Sequence, residues 1–251
     1  MRVLVTNDDG IASPGLHALA RALVDSGVEV LVAAPSKDHS GMGAALGPLH
    51  MTGRVDFARV QIEGVDCEAV SVEGPPALCV LAACLGCFGD KPDVVVSGIN
   101  AGANTGRAVL HSGTVGAALT GLNFGLPGLA VSQVTGDPHI WESAATLAAS
   151  LVAGVAAVRP LAVVNLNVPN RPLVEIRGPV EAQLDRGGTV RATMIERAEG
   201  ELEVRWPEGR LPRAGSDNAL LAEGFATLTA LAGPQAADID VARVLGRRIS
   251  A

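Results

Sequence analysis

Two adjacent carboxylates, Asp8 and Asp9, come shortly after the apolar run at residues 3–5, with Thr6 and Asn7 between them and the run. The run predicts a buried strand, and Ser13-Pro14 before apolar residues at helical spacing predicts the start of a helix. The carboxylates therefore lie at the carboxyl end of a strand, where open α/β sheets usually bind ligands. Two carboxylates repel a phosphate unless a hard divalent cation lies between them. The pattern predicts a metal site, although Asp in a turn or helix cap is the commoner explanation of such a loop by itself.

Three further polar loops strengthen the metal hypothesis. Asn100 follows the apolar run at residues 94–96 and offers a neutral carbonyl oxygen, which hard cations bind beside carboxylates. Residues 112–114, Ser-Gly-Thr, begin another helical pattern, and the free amides at a helix start suit an anion such as phosphate. A fourth polar loop, residues 36–41, follows the strand-like residues 30–34. Together these loops predict a site for a cation and a phosphate.

Alternating strand and helix patterns must position these loops. The predicted strands are residues 2–6, 28–34, 68–72, 93–97, 128–132 and 161–166, and the predicted helices are residues 14–26, 75–88, 113–123 and 142–157. This alternation predicts an α/β fold with a doubly wound, mostly parallel, Rossmann-like sheet. The carboxyl ends of its strands would gather the four polar loops at one edge.

Several segments carry distinctive motifs: residues 5–11 and 13–15, residues 96–100, residues 112–118 and, more weakly, residues 164–169, 216–217 and 223–225. In these motifs the chain resembles the SurE (survival protein E) family of metal-dependent 5'/3'-nucleotidases. The motifs come in the family's order and cover most of residues 1 to 231. The resemblance implies the same α/β fold, and it implies hydrolysis of nucleoside 5'- or 3'-monophosphates, or of another small phosphomonoester, to release phosphate.

The resemblance also implies roles for individual residues. The implied ligands of one divalent metal ion per subunit, Mg²⁺ or Mn²⁺ with Ca²⁺ also suited, are Asp8, Asp9, Ser40 and Asn100. The implied phosphate or substrate contacts are Gly41, Asn104, His111, Ser112, Gly113 and Thr114. Asp8, Asp9 and Asn100 are the implied catalytic residues. From the residues alone, Ser40 is an ordinary turn residue, and the role of Asp8 as nucleophile, base or ligand stays open.

Four positions depart from the family pattern: Leu78, Ala108, His111 and Thr120. Neighbours of metal ligands orient them and change affinity or activity by roughly 10- to 100-fold. These departures leave open an alternative, a catalytically lapsed metal- and nucleotide-binding protein with a sensing or structural role. A phosphatase that forms an aspartyl-phosphate is a weaker rival, because such enzymes typically space their aspartates as Asp-x-Asp.

The pattern changes near residue 172. Alternating residues at 189–195 and 201–206, joined by a turn at 198–200, predict a β-hairpin, and residues 238–248 predict a terminal helix. We therefore divide the chain into an α/β core, residues 1–171, and an extension, residues 172–251, within a single structural domain. Because two strands alone are marginally stable in water, we expect the hairpin to pack on another subunit. The resemblance implies a homodimer, possibly a tetramer, formed through this hairpin.

The composition of the chain argues against several other classes of protein. The formal net charge is −7 and no Lys- or Arg-rich block occurs, which argues against binding of a nucleic-acid polymer. No apolar stretch reaches the roughly 20 residues of a membrane span, and no signal peptide is recognisable, so we expect a cytoplasmic protein. Cys84 and Cys87 form one Cys-x-x-Cys pair within an apolar helical pattern, which favours buried reduced cysteines over a redox motif.

Overall fold

The computed structural model describes residues 1–186, 193–205 and 212–236. Its strands are β1 (Arg2–Thr6), β2 (Glu29–Pro35), β3 (Phe57–Val60), β4 (Glu68–Val72), β5 (Val94–Ala101), β6 (Gly128–Gln133), β7 (Val163–Val168), β8 (Arg177–Glu181), β9 (Thr193–Ala198), β10 (Glu201–Arg205) and β11 (Phe225–Leu231). Its α-helices are α1 (Pro14–Asp25), α2 (Leu49–Thr52), α3 (Pro76–Cys84), α4 (Gly113–Leu122), α5 (Trp141–Ala157) and α6 (Asp217–Ala222), with 3-10 helices at Gly106–His111 and Leu173–Glu175.

Nine strands form one mixed sheet in the order β3-β4-β2-β1-β5-β6-β7-β11-β8. Strands β4, β2, β1, β5, β6 and β7 run parallel to one another, whereas β3 and β11 are antiparallel to β4 and β7. The chain leaves β1 for β2 on one side and later returns to β5 on the other. The topological switch point is therefore between β1 and β5, where ligands bind in this class of sheet. The predicted α/β fold is confirmed.

The central strand is buried on both faces because helices cover both sides of the sheet. Val3 and Val5 belong to the core that α1 and α5 close, while Leu4 belongs to the core on the opposite face, under α3 and α4. All three side chains have no exposed surface. This packing fixes the end of β1, and with it the loop that carries the two aspartates. Among the described residues, no helix combines the length and the apolar content that a membrane span requires.

The C-terminal part of the chain divides between two sheets. Strands β8 and β11 extend the main sheet beyond β7, and β9 and β10 form a separate antiparallel hairpin. The hairpin prediction is confirmed for the described residues; residues 189–192 and 206, and the helix predicted at residues 238–248, lie outside them. The division of the chain at residue 172 stays a prediction.

The helix predicted at residues 75–88 ends earlier, at Cys84. Gly86 adopts φ +81°, a conformation that favours glycine and ends the helix. Cys79 and Cys84 are buried as expected, but Cys87 beyond the helix end is exposed, so the prediction of buried cysteines is wrong for Cys87. Burial raises the pKa of the Cys84 thiol to about 11, and no disulfide joins it to Cys87. A thiol with so high a pKa is a poor redox nucleophile.

Candidate metal and phosphate site

The loop after β1 is closed by the side chain of Asn7. This residue is fully buried; its Nδ2 donates to the carbonyl oxygen of Gly10 at 3.0 Å, and its Oδ1 accepts from the amide of Gly10 at 3.2 Å. Gly10 has φ +98°, and a Cβ atom there would lie 3.1 Å from the main chain of Lys37. The chain therefore bends sharply after Asp9, which a regular strand with alternating side chains would not do.

Asp8 lies against the first turn of α4. Its Oδ1 accepts a 2.6 Å hydrogen bond from Thr114 Oγ1, and its pKa reflects a second bond from the Thr114 amide. Gly113 packs so closely that a Cβ atom there would lie 2.6 Å from Asp8 Cβ. The main-chain oxygen of Asp8 accepts from the His39 amide at 2.7 Å. Asp8 thus joins the loops after β1 and β2 to the start of α4.

Both aspartates carry raised pKa values. Burial is the largest cause for Asp8, partly offset by the hydrogen bond from Thr114. Burial also raises the pKa of Asp9 to about 6, helped by the negative charges of Asp8 and Asp38. The Ala101 amide, at the end of β5, is a hydrogen-bond donor to Asp9 and opposes this shift. The negative charge of Asp38 helps to raise the pKa of Asp8 and of Asp9, and a cation bound among these carboxylates would offset that repulsion.

Ser40 is exposed and hydrogen-bonded to Asp38. Its amide and its hydroxyl donate to Asp38 Oδ1 at 2.7 and 2.6 Å, and these bonds lower the pKa of Asp38. Since the Ser40 proton is committed to Asp38, the lone pairs of Ser40 Oγ remain available as acceptors. Our sequence prediction did not include Asp38. Its position two residues before Ser40 in a polar loop was the only signal for it.

Asn100 is near the end of β5, and Asn104 lies in the loop that follows this strand. Asn100 Nδ2 donates to the carbonyl oxygen of Gly102 at 2.7 Å, an orientation of the amide that leaves Asn100 Oδ1 as an available acceptor. Asn104 Nδ2 donates to Ser132 Oγ at 2.9 Å, on the neighbouring strand β6. The structure therefore brings this loop to the same edge of the sheet as the aspartates.

The main chain of Asn104 is held by two asparagines of β7. Asn165 Nδ2 and Asn167 Nδ2 donate to the Asn104 carbonyl at 2.8 and 2.9 Å, and the Asn104 amide donates to Asn167 Oδ1 at 2.8 Å. Asn165 and Asn167 point to the same side of the strand because they are two residues apart. We gave neither a role from the sequence. Two asparagines inside an apolar strand were the available signal, since buried amides need partners.

A buried carboxylate holds the next residues of the same loop. Asp217, at the start of α6, has no exposed surface, and it accepts from the amides of Gly106, Asn218 and Asp185 at 2.7, 2.8 and 3.0 Å. Asn218 Oδ1 accepts from Thr105 Oγ1 at 2.7 Å. Asp217 thus ties the C-terminal part of the chain to the loop that carries Asn104.

Several hydrogen-bond donors at the start of α4 are already used within the protein. Ser112 Oγ accepts from the Val115 amide at 3.1 Å as the helix N-cap, and the hydroxyl and amide of Thr114 are both directed to Asp8. Among residues 112–114, the Gly113 amide and the Ser112 hydroxyl proton are therefore the donors left for a phosphate. Thr114 contacts the aspartate and not solvent.

The remaining predicted contacts are Gly41, in the loop after β2, and His111, the last residue of the 3-10 helix before α4, and both are exposed. The Gly43 amide donates to the His111 carbonyl at 3.2 Å, and a Cβ atom on Gly116 would collide with the main chain of Gly43. Gly41 has φ +79° and open space beside it. The loop after β2 therefore packs over the start of α4, with Gly41 and His111 at the surface.

The positions that depart from the family pattern lie in different surroundings. Leu78 and Thr120 are buried, and the Thr120 hydroxyl donates to the Gly116 carbonyl of its own helix at 2.7 Å. Ala108 is half-buried in the 3-10 helix that His111 ends. None of these four side chains hydrogen-bonds to Asp8 or Asp9 in the described part of the chain.

The atoms that could bind a metal ion at this edge of the sheet are oxygen atoms. Within the described ranges, no group of three or more His, Cys, Asp or Glu side chains is placed to hold a metal, and the candidate ligands here also include the amide of Asn100 and the hydroxyl of Ser40. Asp9 Oδ2 is buried and has no hydrogen-bond partner. An unpartnered buried carboxylate oxygen is costly, and a hard cation held by carboxylate, amide and hydroxyl oxygens removes that cost. The residues fit a magnesium-like ion.

Known proteins share both the sequence and the fold. The sequence model of the family described as "Survival protein SurE" matches residues 3–189. A protein named "5'-nucleotidase SurE" from Stenotrophomonas maltophilia (strain K279a) is 39% identical over 222 residues, which are 86% of this chain and 82% of that protein. A second protein of that name, from Solidesulfovibrio magneticus, is 38% identical over 245 residues, 92% of this chain and 91% of that protein.

A solved structure has the same architecture. The crystal structure of the SurE protein from Aquifex aeolicus matches this chain with a TM-score of 0.77 at 27% sequence identity, and the match covers 98% of each chain. The family match therefore extends over most of the chain, and it includes the loops that carry the two aspartates, Asn100 and the start of α4. This chain belongs to the SurE family.

Proposed function

We propose that this chain is a metal-dependent phosphomonoesterase that hydrolyses nucleoside 5'- or 3'-monophosphates to the nucleoside and phosphate. One observation carries most of the proposal: Asp8 and Asp9 lie together at the switch point of the sheet, and Asp9 keeps a buried oxygen without a partner. Relatives about 40% identical are named 5'-nucleotidases, which supports the same substrate class.

Asp8, Asp9, Ser40 and Asn100 would hold one divalent ion, Mg²⁺ or Mn²⁺. When bound, such an ion supplies Lewis-acid polarisation of the phosphoryl group and offsets its negative charge. The support for this ligand set is the all-oxygen chemistry and the available acceptors on Asp9, Ser40 and Asn100. Asp8 would contribute through a carboxylate whose orientation Thr114 fixes.

Side chains of the protein would supply the remaining chemistry. The Gly113 amide and the Ser112 hydroxyl would donate to phosphoryl oxygens at the start of α4, where the helix dipole favours negative charge. Asn104, held by its hydrogen bonds to β6 and β7, would position the phosphate from the opposite side. Gly41 and the exposed His111 would line the mouth of the site. Fixed donors of this kind stabilise the charge that builds up as the bond to the leaving group breaks.

We further propose that the chain forms a homodimer, and possibly a tetramer, through the β9-β10 hairpin. Met194, Leu202 and Val204 share one face of the hairpin and are 65%, 63% and 42% exposed. Apolar side chains so exposed on an isolated hairpin support burial against a second copy. The four unpaired thiols fit the reducing cytoplasm as the working compartment.

Phosphate release tests the proposed activity. A panel of nucleoside 5'- and 3'-monophosphates is incubated with the full chain in the presence of Mg²⁺, Mn²⁺ or Ca²⁺, and with EDTA. We expect release that needs a divalent ion and that EDTA abolishes. If no substrate yields phosphate while the ion still binds, the activity is absent, and the lapsed binding protein becomes the better account.

A further inference from the structure

A cleft of about 580 Å³ lies next to the proposed metal and phosphate site. It opens beyond the carboxyl ends of β6 and β7, and these strands are parallel to β1 and β5. The cleft is therefore at the same edge of the sheet as the aspartates. Ala103, which precedes Asn104, forms part of its wall.

Gly102 separates the cleft from Asn100. A Cβ atom on Gly102 would lie 3.6 Å from Thr135 Oγ1, in the wall of the cleft, and 3.7 Å from Asn100 Nδ2. Gly102 has φ +148°, which L side chains rarely adopt. Thr135, in the wall of the cleft, and Asn100 therefore lie on either side of the position that a side chain on Gly102 would occupy.

Two amide side chains make the cleft rigid. Asn170 Oδ1 accepts from the Ile140 amide at 2.8 Å and Asn170 Nδ2 donates to the Pro138 carbonyl at 2.9 Å, which fixes the loop after β6. Asn218 binds Thr105 through its Oδ1. These amides hold the walls and are not the groups that a ligand would use.

Asp137 and Arg171 are the two charged residues that line the cleft. Both side chains line the cleft, both are exposed, and neither forms a hydrogen bond or an ion pair through its charged group with another described residue. A carboxylate accepts hydrogen bonds from sugar hydroxyls, as in dinucleotide sites. A guanidinium group stacks on planar rings and donates to their acceptors. The cleft volume is within the range of small-molecule sites and exceeds what a phosphate alone needs.

We infer that this cleft binds the nucleoside part of the substrate, with Asp137 accepting from ribose hydroxyls and Arg171 contacting the base. The inference rests on the proposed function, since it assigns the substrate groups that lie beyond the phosphate. It predicts that the chain distinguishes nucleotides from small phosphomonoesters through these two residues. Both lie outside the metal and phosphate site.

Kinetics on two substrates test this inference. Arg171→Ala and Asp137→Asn are compared with the wild-type chain on adenosine 5'-monophosphate and on para-nitrophenyl phosphate, which lacks a sugar and a base. Loss of a charged hydrogen bond to substrate predicts a KM for the nucleotide that is about 10- to 100-fold higher. The constants for the aryl phosphate stay at the wild-type values. Arg59→Ala, on the distant edge strand β3, is the matched control and leaves both substrates unaffected.

A deoxyribose substrate separates the two contacts. With a 2'-deoxynucleotide, Asp137→Asn has a smaller effect than with the ribonucleotide, while Arg171→Ala keeps its full effect. Equal changes in KM for adenosine 5'-monophosphate and for para-nitrophenyl phosphate, or no change for either, would overturn the inference. If the wild-type chain hydrolyses neither adenosine 5'-monophosphate nor para-nitrophenyl phosphate, the proposed function fails. The inference about the cleft is then tested by measuring the equilibrium binding of the nucleotide. Weaker binding of adenosine 5'-monophosphate in both variants, with unchanged binding of inorganic phosphate, supports it; absence of nucleotide binding by the wild-type chain contradicts it.

Discussion

Thr114 Oγ1 and Asp8 Oδ1 are joined by a hydrogen bond of 2.6 Å in the buried centre of the site. The bond connects the first turn of α4 to the end of β1, the strand at the switch point of the sheet. It fixes the rotamer of a carboxylate that a metal would use, and it lowers the cost of burying that charge. Thr114 is therefore a positioning residue in this account.

Thr114→Val tests this positioning role, because valine keeps the shape of threonine and removes the donor. We expect metal-dependent phosphate release to fall by about 10- to 100-fold, with weaker Mn²⁺ binding, since Asp8 loses its orienting partner. Thr114→Ser, which restores a hydroxyl, recovers most of the activity. Mn²⁺ affinity and turnover are measured for both variants. A valine variant with wild-type Mn²⁺ affinity would show that the bond does not position the ligand.

Gly113→Ala tests the close approach of α4 to Asp8. The added methyl group would lie 2.6 Å from Asp8 Cβ, so either the helix start or the aspartate must move. We expect a cooperative folded state with turnover reduced by at least about 10-fold, because a displacement of about 1 Å at a catalytic group is costly. Circular dichroism and phosphate release measure the two effects.

Gly154→Ala is the matched control for Gly113→Ala. Gly154 is an exposed glycine inside α5, and a Cβ atom there meets nothing within 4 Å. Alanine should stabilise the fold by up to about 1 kcal/mol through its higher helix propensity, with turnover unchanged. Wild-type turnover in Gly113→Ala would mean that the contact with Asp8 has no part in the activity.

The raised pKa of Asp9 makes stability depend on pH. The folded chain holds the Asp9 proton up to about pH 6, whereas the unfolded chain releases it near pH 3.8. Protonation of Asp9 therefore stabilises the fold fully below pH 3.8, and this contribution is lost as the pH rises through about 6. In EDTA, the stability of wild type relative to Asp9→Asn should fall between these values. Thermal unfolding across this range measures the difference, and parallel curves would contradict the shift.

A divalent ion should reverse this pH dependence. Protons compete with the ion for the carboxylate of Asp9, so ion binding strengthens as the pH rises through about 6. With saturating Mg²⁺, the melting temperature of the wild-type chain and its rate of phosphate release should both increase over this interval. Neither increase is expected in Asp9→Asn.

Asp217→Asn tests the link between the C-terminal part of the chain and the Asn104 loop. The amide nitrogen of asparagine would face one of the three main-chain amides that now donate to Asp217, leaving buried donors without an acceptor. We expect a loss of about 1 to 3 kcal/mol in the free energy of unfolding. We also expect a higher KM, because Asn104 shifts. Urea unfolding and kinetics measure these effects, and an unchanged KM in the folded variant would contradict the positioning role.

The central elements of the fold could be predicted because their residues follow simple patterns. The apolar run of β1 and the proline at the first turn of α1 predict elements that the structure places within one residue of the expected bounds. Strand β3, which is mostly exposed, and strands β8 and β11 were not among the strands predicted from the sequence. Arg177, Gly178 and Pro179 open β8 and interrupt any apolar alternation, so only its pairing with β11 makes it a strand.

The site could be predicted only where its residues come from strand ends. Asp8 and Asp9 come just after β1 and Asn100 is near the end of β5, and the sheet topology brings those strand ends together. The contacts of Asn104 with Asn167 and of Asp217 with Gly106 could not be predicted. The residues of each pair are 63 and 111 positions apart, and they are joined by a hydrogen bond between a side chain and the main chain, which leaves no local sequence pattern. The spacing of residues along the sequence predicts which side chains lie on the same face of one helix or strand, but it does not predict contacts between distant segments.

Turnover of adenosine 5'-monophosphate during a Mg²⁺ titration tests the central claim most directly. Three chains are compared: wild type, Asp9→Asn and the control Asp25→Asn, an exposed carboxylate at the end of α1. We expect Mg²⁺-dependent phosphate release that is lower by at least about 100-fold in Asp9→Asn and unchanged in Asp25→Asn. Release by Asp9→Asn at the wild-type rate and with the wild-type Mg²⁺ requirement would contradict that claim.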